Sequence, residues 1–277
     1  MPGPTPTVRT RVRRDKLAAP RDAMEVGSSF SASAYFPVMV QQPPSRCGLR
    51  WVAGAEGKPG INADIQNAAE SVRMLADRHF EVLGTNGVTA SVTYHPEGGL
   101  ALTTAGASAD QVILVPHLDT DQTAWTKWTW GTDRQVIWEC TIRAGAAITA
   151  QKVWAGLKLT NTPTVATDDN QVFFRYEAGV ASGVWQCISS IANTDTTTSS
   201  VVTVAISTVY RLIITINASR FAQFWIGVGD AQPTLIYTTT ALTDAIDLIS
   251  YIGIEASAVA TKTMTVYEQA ISRASAA

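Results

Sequence analysis

The chain has 277 residues, of which 46% are hydrophobic and 16% are charged. A net charge of −2 indicates no bulk affinity for nucleic acid, and no run approaches the ~18 apolar residues that span a membrane. Charged residues usually make up about 25% of a soluble domain. The shortage predicts either a surface that partners partly cover or a large closed β-sandwich.

The first 60 residues are predicted to form an extended arm, because eight of the twelve prolines lie there. Proline fixes φ and lacks an N–H, which disfavours a long helix or a central strand. The segment has no apolar signal-peptide core, so we expect synthesis in a cytoplasm. The arm also carries a basic cluster made of Arg9, Arg11, Arg13, Arg14 and Lys16.

Three interpretations of the basic cluster stay open. It is solvated, it contacts nucleic-acid phosphates, or it docks on an acidic partner surface. We favour partner docking, because a proline-rich extended segment loses less conformational entropy on binding than a flexible one.

Residues 61–79 are predicted to form one anchoring helix. Ile61, Ile65, Val72 and Leu75 recur at intervals that place them on one helical stripe. Asn62 is a suitable N-cap residue at the start.

From residue 80 onward, short apolar runs and period-two alternation replace the helical pattern. Turn sequences such as "TNG", "PEGG", "EAGVASG" and "NTDTTTSS" separate these runs. Strand following strand without intervening helices predicts an antiparallel sandwich or barrel. The predicted strands are 80–83, 88–94, 100–103, 111–116, 125–130, 134–143, 151–160, 171–177, 183–190, 201–206, 209–217, 220–228, 234–238, 247–255 and 262–271.

Several of these segments resemble a known family. They are "VIWECTIRAG", then "KVWAGLKLT", "DDNQVFFRYEAG" and "VWQCISS", then "STVYRLIITINASRFAQFWIGVGD" and "TKTMTVYEQAIS". In this order they resemble the long strand, the inner-sheet strands, the central hairpin and the closing strand of concanavalin A-like (laminin-G-like) jelly-roll domains of phage virion proteins. The resemblance covers about two-thirds of the chain. It implies an all-β antiparallel jelly-roll sandwich over residues 80–277, preceded by the arm and the helix.

The family that the chain resembles includes lectins, endoglucanases and inert virion modules, so the fold alone does not choose a function. By resemblance we expect a structural virion protein, made in the host cytoplasm and carried in the virion. The leading hypothesis is a homotrimeric capsid decoration (cement) protein that docks on the major capsid protein or other virion subunits. The alternatives are a tail or fibre component and a carbohydrate-binding module for host attachment. We expect no cofactor.

Acidic residues give no catalytic signature. Glycoside hydrolysis needs two carboxylates, about 5–5.5 Å apart for retention, and in glucanases of the family they alternate on one strand as E-x-D-x-(x)-E. Here "VIWECTIRAG" contains only Glu139, while Glu177 and Glu255 are the only acids in or near their strands. We therefore expect no catalytic residues and no enzymatic activity.

Two loops contain hard oxygen ligands: Asp119 with Asp121, and Asp168-Asp169-Asn170. Calcium requires six to eight oxygen ligands, which neither loop supplies alone. Asp and Asn are also ordinary turn residues. The sequence therefore predicts turns here and no metal site, with a cation site as the alternative.

Seven of the eight tryptophans lie between residues 125 and 225, which predicts that this span holds the core. Trp125, Trp128 and Trp130 lie close together, and the latter two share one face of a strand. They pack in the core or form an aromatic surface for a host glycan.

An odd, low cysteine count argues against a disulfide scaffold. Cys140 and Cys187 lie in apolar strands. They are predicted to be buried free thiols, with a Cys140–Cys187 bridge as the alternative.

Overall fold

The computed structural model describes residues 38–42, 46–52, 61–62, 80–116, 130–158 and 169–274. These residues form two β-sheets, with 3-10 turns at Thr89–Ser91, Thr132–Arg134 and Ala181–Gly183. The predicted antiparallel jelly-roll sandwich is confirmed. No helix in the described part of the chain is both long and apolar enough to cross a membrane.

The first sheet has nine strands, and its main path runs β1-β2-β17-β8-β13-β14-β15, while β5 and β6 join it beside β17. Its strands are β1 (Val38–Gln42), β2 (Arg46–Val52), β5 (Val92–Tyr94), β6 (Leu100–Thr103), β8 (Ile137–Arg143), β13 (Val209–Ile216), β14 (Phe221–Val228), β15 (Thr234–Ala241) and β17 (Thr263–Ala274).

The second sheet has eight strands in the order β12-β11-β10-β9-β16-β7-β4-β3. All of its neighbouring strands are antiparallel except β3 and β4, which pair in parallel. Its strands are β3 (Ile61–Asn62), β4 (Phe80–Leu83), β7 (Gln111–Pro116), β9 (Gln151–Lys158), β10 (Gln171–Glu177), β11 (Val184–Ile191), β12 (Thr194–Thr203) and β16 (Ile249–Ala256).

The core lies between the sheets and is filled by every second residue of the strands. In β13 the buried positions alternate with half-buried ones, as period-two geometry requires. Aromatic rings join the two sheets: Phe174 meets Phe224 edge-on at 5.1 Å, and Trp185 meets Tyr210 at 5.6 Å between ring centroids. Trp138 and Trp185 are also buried in this core. The tryptophan-rich span therefore supplies part of the core, and strands such as β6, β7 and β16 supply the rest.

The thiols of Cys140 and Cys187 are buried and free, so the predicted free thiols are confirmed and the alternative bridge is wrong. Burial disfavours the thiolate and raises the pKa of Cys187 to about 12. These thiols are therefore core residues with little thiolate character.

The structure differs from the predicted boundary of the arm. Residues 38–42 and 46–52 form an antiparallel hairpin, and β2 pairs with β17 as part of the first sheet. Pro37, Pro43 and Pro44 stand just outside these strands in the sequence, where a missing N–H breaks no ladder hydrogen bond. The prolines therefore bound strands here instead of excluding them. Residues 1–37 lie outside the described residues.

Two other sequence predictions, a helix and a turn, differ from the structure. Residues 61–62, at the start of the predicted helix 61–79, form the short strand β3, and residues 63–79 lie outside the described residues. The sequence "NTDTTTSS" is not a turn but most of β12, an edge strand of the second sheet. Its threonines suit a solvated strand.

Candidate functional site

A groove of about 310 Å³ lies on the outer face of the second sheet. Side chains of β7, β9, β10, β11, β12 and β16 line it. They point away from the core because they alternate along their strands with core residues. The groove is thus built on stiff strands and not on loops.

An aromatic cluster forms the floor of this groove, separate from the main core. Trp154 and Phe173 line the groove, and Tyr251 packs beside them with its ring centroid 6.3 Å from that of Phe173. The Trp154 indole lies over Gly253, where a Cβ atom would stand 2.7 Å from the indole nitrogen. Glycine at this position is therefore what lets the indole lie on the sheet. The Lys158 ammonium lies 5.0 Å from the Tyr251 ring centroid, within range of a cation–π contact.

A row of charges forms one wall. Lys152 is the cross-strand partner of both Glu177 and Glu255, and its ammonium lies 3.9 Å and 2.9 Å from their carboxylate oxygens. Gln111 donates a 2.6 Å hydrogen bond to Glu255. The sequence treated these two acids as isolated, which is wrong: neighbouring strands bring them together. The Lys152 ammonium therefore links the two carboxylates into one charged group.

Two buried polar atoms in the groove lack hydrogen-bond partners among the described residues. They are the Trp154 Nε1 donor and the Gln171 Oε1 acceptor, and each residue is 3% exposed. Buried polar groups are nearly always hydrogen-bonded in native proteins. A donor and an acceptor beside an aromatic floor therefore suit a ligand that has both hydrogen-bonding groups and an apolar face.

One end of the sandwich, which we call the uncharged end, is formed by loops whose own residues include a single charged side chain, Asp230. Charged side chains of the adjoining strands border it: Arg143 donates to Ser207 O and pairs with Glu97, and Lys152, Glu177 and Glu255 lie at the strand ends beside the loops. Backbone hydrogen bonds link several of them, such as Ser207 N–H to Gly145 O and Val204 N–H to Gly183 O. The loops of the uncharged end are 84–91, 104–109, 144–150, 178–183, 204–208, 229–233 and 257–261.

The opposite end, which we call the charged end, has the usual composition of a solvated surface. Its described loops are 131–136, 169–170, 192–193, 217–220 and 242–248. They include ion pairs at 3.3 Å between Arg220 and Asp244 and at 3.1 Å between Arg134 and Asp133.

Of the predicted site residues, only Trp130 belongs to the described part of the chain, and it lies outside the groove. Trp130 is 7% exposed and belongs to the main core, so it presents no face to a glycan. Trp125 and Trp128 lie outside the described residues, as do the basic residues Arg9, Arg11, Arg13, Arg14 and Lys16.

The acidic loops are described only in part. Asn170 accepts a 2.7 Å hydrogen bond from the Thr243 hydroxyl, which lies on a different loop. Asp119, Asp121 and Asp168 lie outside the described residues. No group of three or more His, Cys, Asp or Glu side chains suited to a metal ion occurs in the described part of the chain.

Solved structures with the same architecture include a protein of unknown function, SO2946 from Shewanella oneidensis MR-1. It has a TM-score of 0.55 and 10% identity, over 90% of this chain and 97% of that one. Peanut lectin with a 9mer peptide has a TM-score of 0.52 and 8% identity, over 84% of this chain and 99% of the lectin chain. The fold is that of the concanavalin A-like lectins. No protein-family profile and no curated protein matches the sequence, so the likeness shows the jelly roll alone.

Sequence reasoning missed the groove, although a signal was present. In "KVWAGL" and "QVFFRY" residues of both parities are apolar, so each of these strands buries side chains on both faces. Such a strand in an antiparallel sandwich indicates a second apolar cluster on the outer face. The positions of Trp154 and Phe173 follow from it.

Proposed function

We propose that this protein is a structural, non-enzymatic component of a virion, in which the jelly roll binds neighbouring subunits. The observation that carries the proposal is the lack of charge in the loops of the uncharged end. Removing charges from water costs several kcal/mol per ion. The loops themselves carry only Asp230, and the Arg143–Glu97 pair and the Lys152–Glu177–Glu255 group lie at their margin. The loop surface is therefore suited to burial against a neighbour.

Within this proposal, a homotrimeric capsid decoration (cement) protein is the leading form, and a tail or fibre component is the alternative. The support is the resemblance of the strand segments to jelly rolls of phage virion proteins. The basic cluster from Arg9 to Lys16 would supply a second contact, on an acidic surface of the major capsid protein or another virion subunit.

The test is mass spectrometry of purified particles with a chain that lacks residues 1–37. This deletion removes the basic cluster but keeps β1 and β2, so the described sheets stay complete. We expect hundreds of copies per particle for a capsid protein and a handful for a tail or fibre protein. We also expect the deletion to abolish incorporation. Absence of the full chain from particles contradicts the virion proposal, and normal incorporation of the shortened chain contradicts docking through the arm.

The second candidate function is saccharide binding in the groove, for host attachment. The observation that favours it is the unpartnered donor on Trp154 and acceptor on Gln171, beside aromatic side chains. Sugars present hydroxyl groups that both donate and accept, together with apolar C–H faces that stack on aromatic rings. The volume of about 310 Å³ suits a ligand of one or two sugar rings.

A glycan array with purified wild-type protein tests this candidate. Trp154→Phe and Gln171→Met remove the polar atoms but keep most of the packing, and each is expected to weaken binding about tenfold, as for loss of one buried hydrogen bond. Trp225→Phe is the matched control, because the Trp225 Nε1 is also buried without a partner but lies on the other sheet. An array without bound glycan, or equal binding by the Trp154 and Trp225 variants, would refute saccharide binding.

We further propose that the groove is not catalytic. Lys152 bridges Glu177 and Glu255 and fills the position between the two carboxylates. Turnover of mixed β-glucans by the purified protein would contradict this proposal.

A further inference from the structure

We infer that the free edge of strand β12 binds residues 7–13 from the N-terminal arm of a second copy of this chain, so that the arm adds one strand to the second sheet. The inference rests on the arm docking of the proposed function and names the surface that the arm meets. It follows from three features: the open edge of β12, the direction of its unpaired backbone groups, and the residue pattern of the arm.

Strand β12 is an open edge of the second sheet. Among the described strands it pairs only with β11, and seven of its ten residues are exposed. The pairing is regular over residues 194–199, and the register shifts only beyond this stretch. Edge strands are usually protected by proline, lysine or a bulge, and residues 194–199 contain none of these. The stretch can therefore accept another strand.

The backbone of β12 presents unpaired groups at every second residue. Ala192 and Asn193 both have positive φ, 48° and 64°, and form the two-residue turn between β11 and β12. Thr194 directly follows this turn, so it forms a hydrogen-bonded pair with β11, and such pairs then alternate with non-hydrogen-bonded ones. The N–H and C=O groups that point away from β11 are therefore those of Asp195, Thr197 and Ser199.

The outer face of this edge is acidic. Asp195 and Thr197 line the margin of the groove, and Asp195 is the only charged residue of β12. The other charged residues that line the groove belong to β9, β10 and β16, at least two strands away. An added strand would have its other face beside the core, because successive side chains point to opposite faces. The edge thus fits a strand with one basic face and one apolar face.

The arm contains a segment with this pattern. Residues 8–13 read V-R-T-R-V-R, without proline. Val8, Thr10 and Val12 occupy one set of alternate positions, and Arg9, Arg11 and Arg13 occupy the other. Paired with β12, the segment would place its arginines beside Asp195 and its valines beside the core. An extended segment that joins a sheet edge also gains main-chain hydrogen bonds.

The position of the arm favours a second copy as its source. The arm leads into β1, which lies at one edge of the first sheet, while β15 forms the other edge. Strand β12 lies against β15, so it is on the side of the sandwich opposite its own arm. Val201 of β12 is 90% exposed in the single chain. Residues 14–37 can span roughly 80 Å when extended, which is enough to reach a neighbouring subunit.

Sedimentation velocity and native mass spectrometry of the full chain, over a range of concentrations, test the inference. Thr197→Pro removes an N–H that points to the free edge and breaks no hydrogen bond to β11, whereas the control Thr197→Val keeps this N–H. We expect an oligomer for the wild type and for Thr197→Val. We expect about tenfold weaker association for Thr197→Pro, as for loss of one backbone hydrogen bond. A urea titration verifies that both variants are folded.

The arm is tested by Arg11→Glu, because Arg11 is the central position of the basic face. Arg21→Glu is the matched control, since it makes the same change of charge beyond the segment. Both substitutions lie outside the described strands, so they test the inference even if Thr197→Pro does not fold. We expect about fivefold weaker association for Arg11→Glu alone, because an ion pair becomes a repulsive contact. Adding Asp195→Arg to Arg11→Glu should restore part of the association.

A wild type that is monomeric at all concentrations would overturn the inference. So would a folded Thr197→Pro variant that associates as tightly as the wild type, or equal association of the Arg11→Glu and Arg21→Glu variants. These outcomes are distinct from failure of the virion proposal. A monomer that is nevertheless present in purified particles contradicts pairing with a second copy alone. An oligomer that is absent from particles contradicts the virion proposal alone.

Discussion

The two ends of the jelly roll use the same kind of element, short loops between antiparallel strands, but differ in how those loops are held. At the charged end, side chains reach across loops, as in the contact between Arg220 and Asp244. At the uncharged end, backbone hydrogen bonds and a few polar side chains, among them Arg143 donating to Ser207 O, hold the loops, and most side chains within the loops are small or apolar. The two ends therefore differ in the side chains that their loops present, and this difference is the basis of the contact role proposed for the uncharged end.

The largest expected change in the free energy of unfolding comes from removing one hydroxyl group at each end of the sandwich. Tyr210 donates to Thr203 O and accepts from Ala205 N–H at the uncharged end. Thr132 donates to Thr243 O and accepts from Ile246 N–H at the charged end. We expect Tyr210→Phe and Thr132→Val each to lower the free energy of unfolding by about 1–3 kcal/mol, because two backbone groups lose a partner.

Urea unfolding measures both variants against the wild type. A loss below about 0.5 kcal/mol for either variant would show that its hydroxyl does not hold that end.

A smaller change in the free energy of unfolding, this time an increase, is expected for a substitution beneath the uncharged end. Gln151 is fully buried, and neither amide atom of its side chain has a partner among the described residues. Gln151→Met removes these polar atoms and should raise the free energy of unfolding by about 1–2 kcal/mol. Gln269→Met is the control, since the Gln269 amide donates to Ser250 and its loss should destabilise. Destabilisation by both substitutions would contradict the account of Gln151.

The next prediction concerns how the free energy of unfolding depends on pH through Asp110, a carboxylate beneath the uncharged end. The hydrogen bond from Asn86, followed by that from the Ala107 N–H, lowers the pKa of Asp110 below its usual 3.8. The carboxylate therefore stabilises the fold fully above the pKa of the unfolded chain, and this contribution is lost as pH falls through the lower folded value. Comparison of wild type and Asp110→Asn by urea unfolding from pH 7 to pH 2 should show a gap that closes on acidification. A gap that stays constant with pH would contradict this role.

The smallest effect is expected at the charged end. Asp244 is well exposed, and exposed ion pairs contribute little. Asp244→Asn should change the free energy of unfolding by less than about 0.5 kcal/mol, and 1 M salt should abolish the difference. A larger decrease in the free energy of unfolding that persists in 1 M salt would show that the charged end depends on its ion pairs.

Alternation of apolar residues was enough to predict most of the sandwich. The strands 80–83, 100–103, 111–116 and 171–177 agree with the structure to the residue. Most of strand β12 was missed because its threonines and serines resemble a turn, and the predicted strand 201–206 overlaps only its last residues. Strands β1 and β2 were missed because prolines flank them. In both cases sheet pairing decided the structure, and local sequence does not encode pairing partners.

The groove and the uncharged end depend on contacts between distant segments. Glu177 and Glu255 are far apart in the chain, and only the strand order β10-β9-β16 sets them beside Lys152. The neutral loops are each unremarkable in sequence, and their common location follows from antiparallel topology. For Trp130, closeness in sequence was misleading. It was grouped with the neighbouring Trp128 as part of a surface, but its side chain is buried in the core.

Hydrogen–deuterium exchange tests the central claim, that the uncharged end is the contact surface, most directly. The free protein is compared with the protein in purified particles. We predict slower exchange in loops 204–208 and 144–150 of the particle-bound protein, and equal exchange in loops 217–220 and 242–248. Protection confined to the charged end, or no difference between the two states, would contradict the claim.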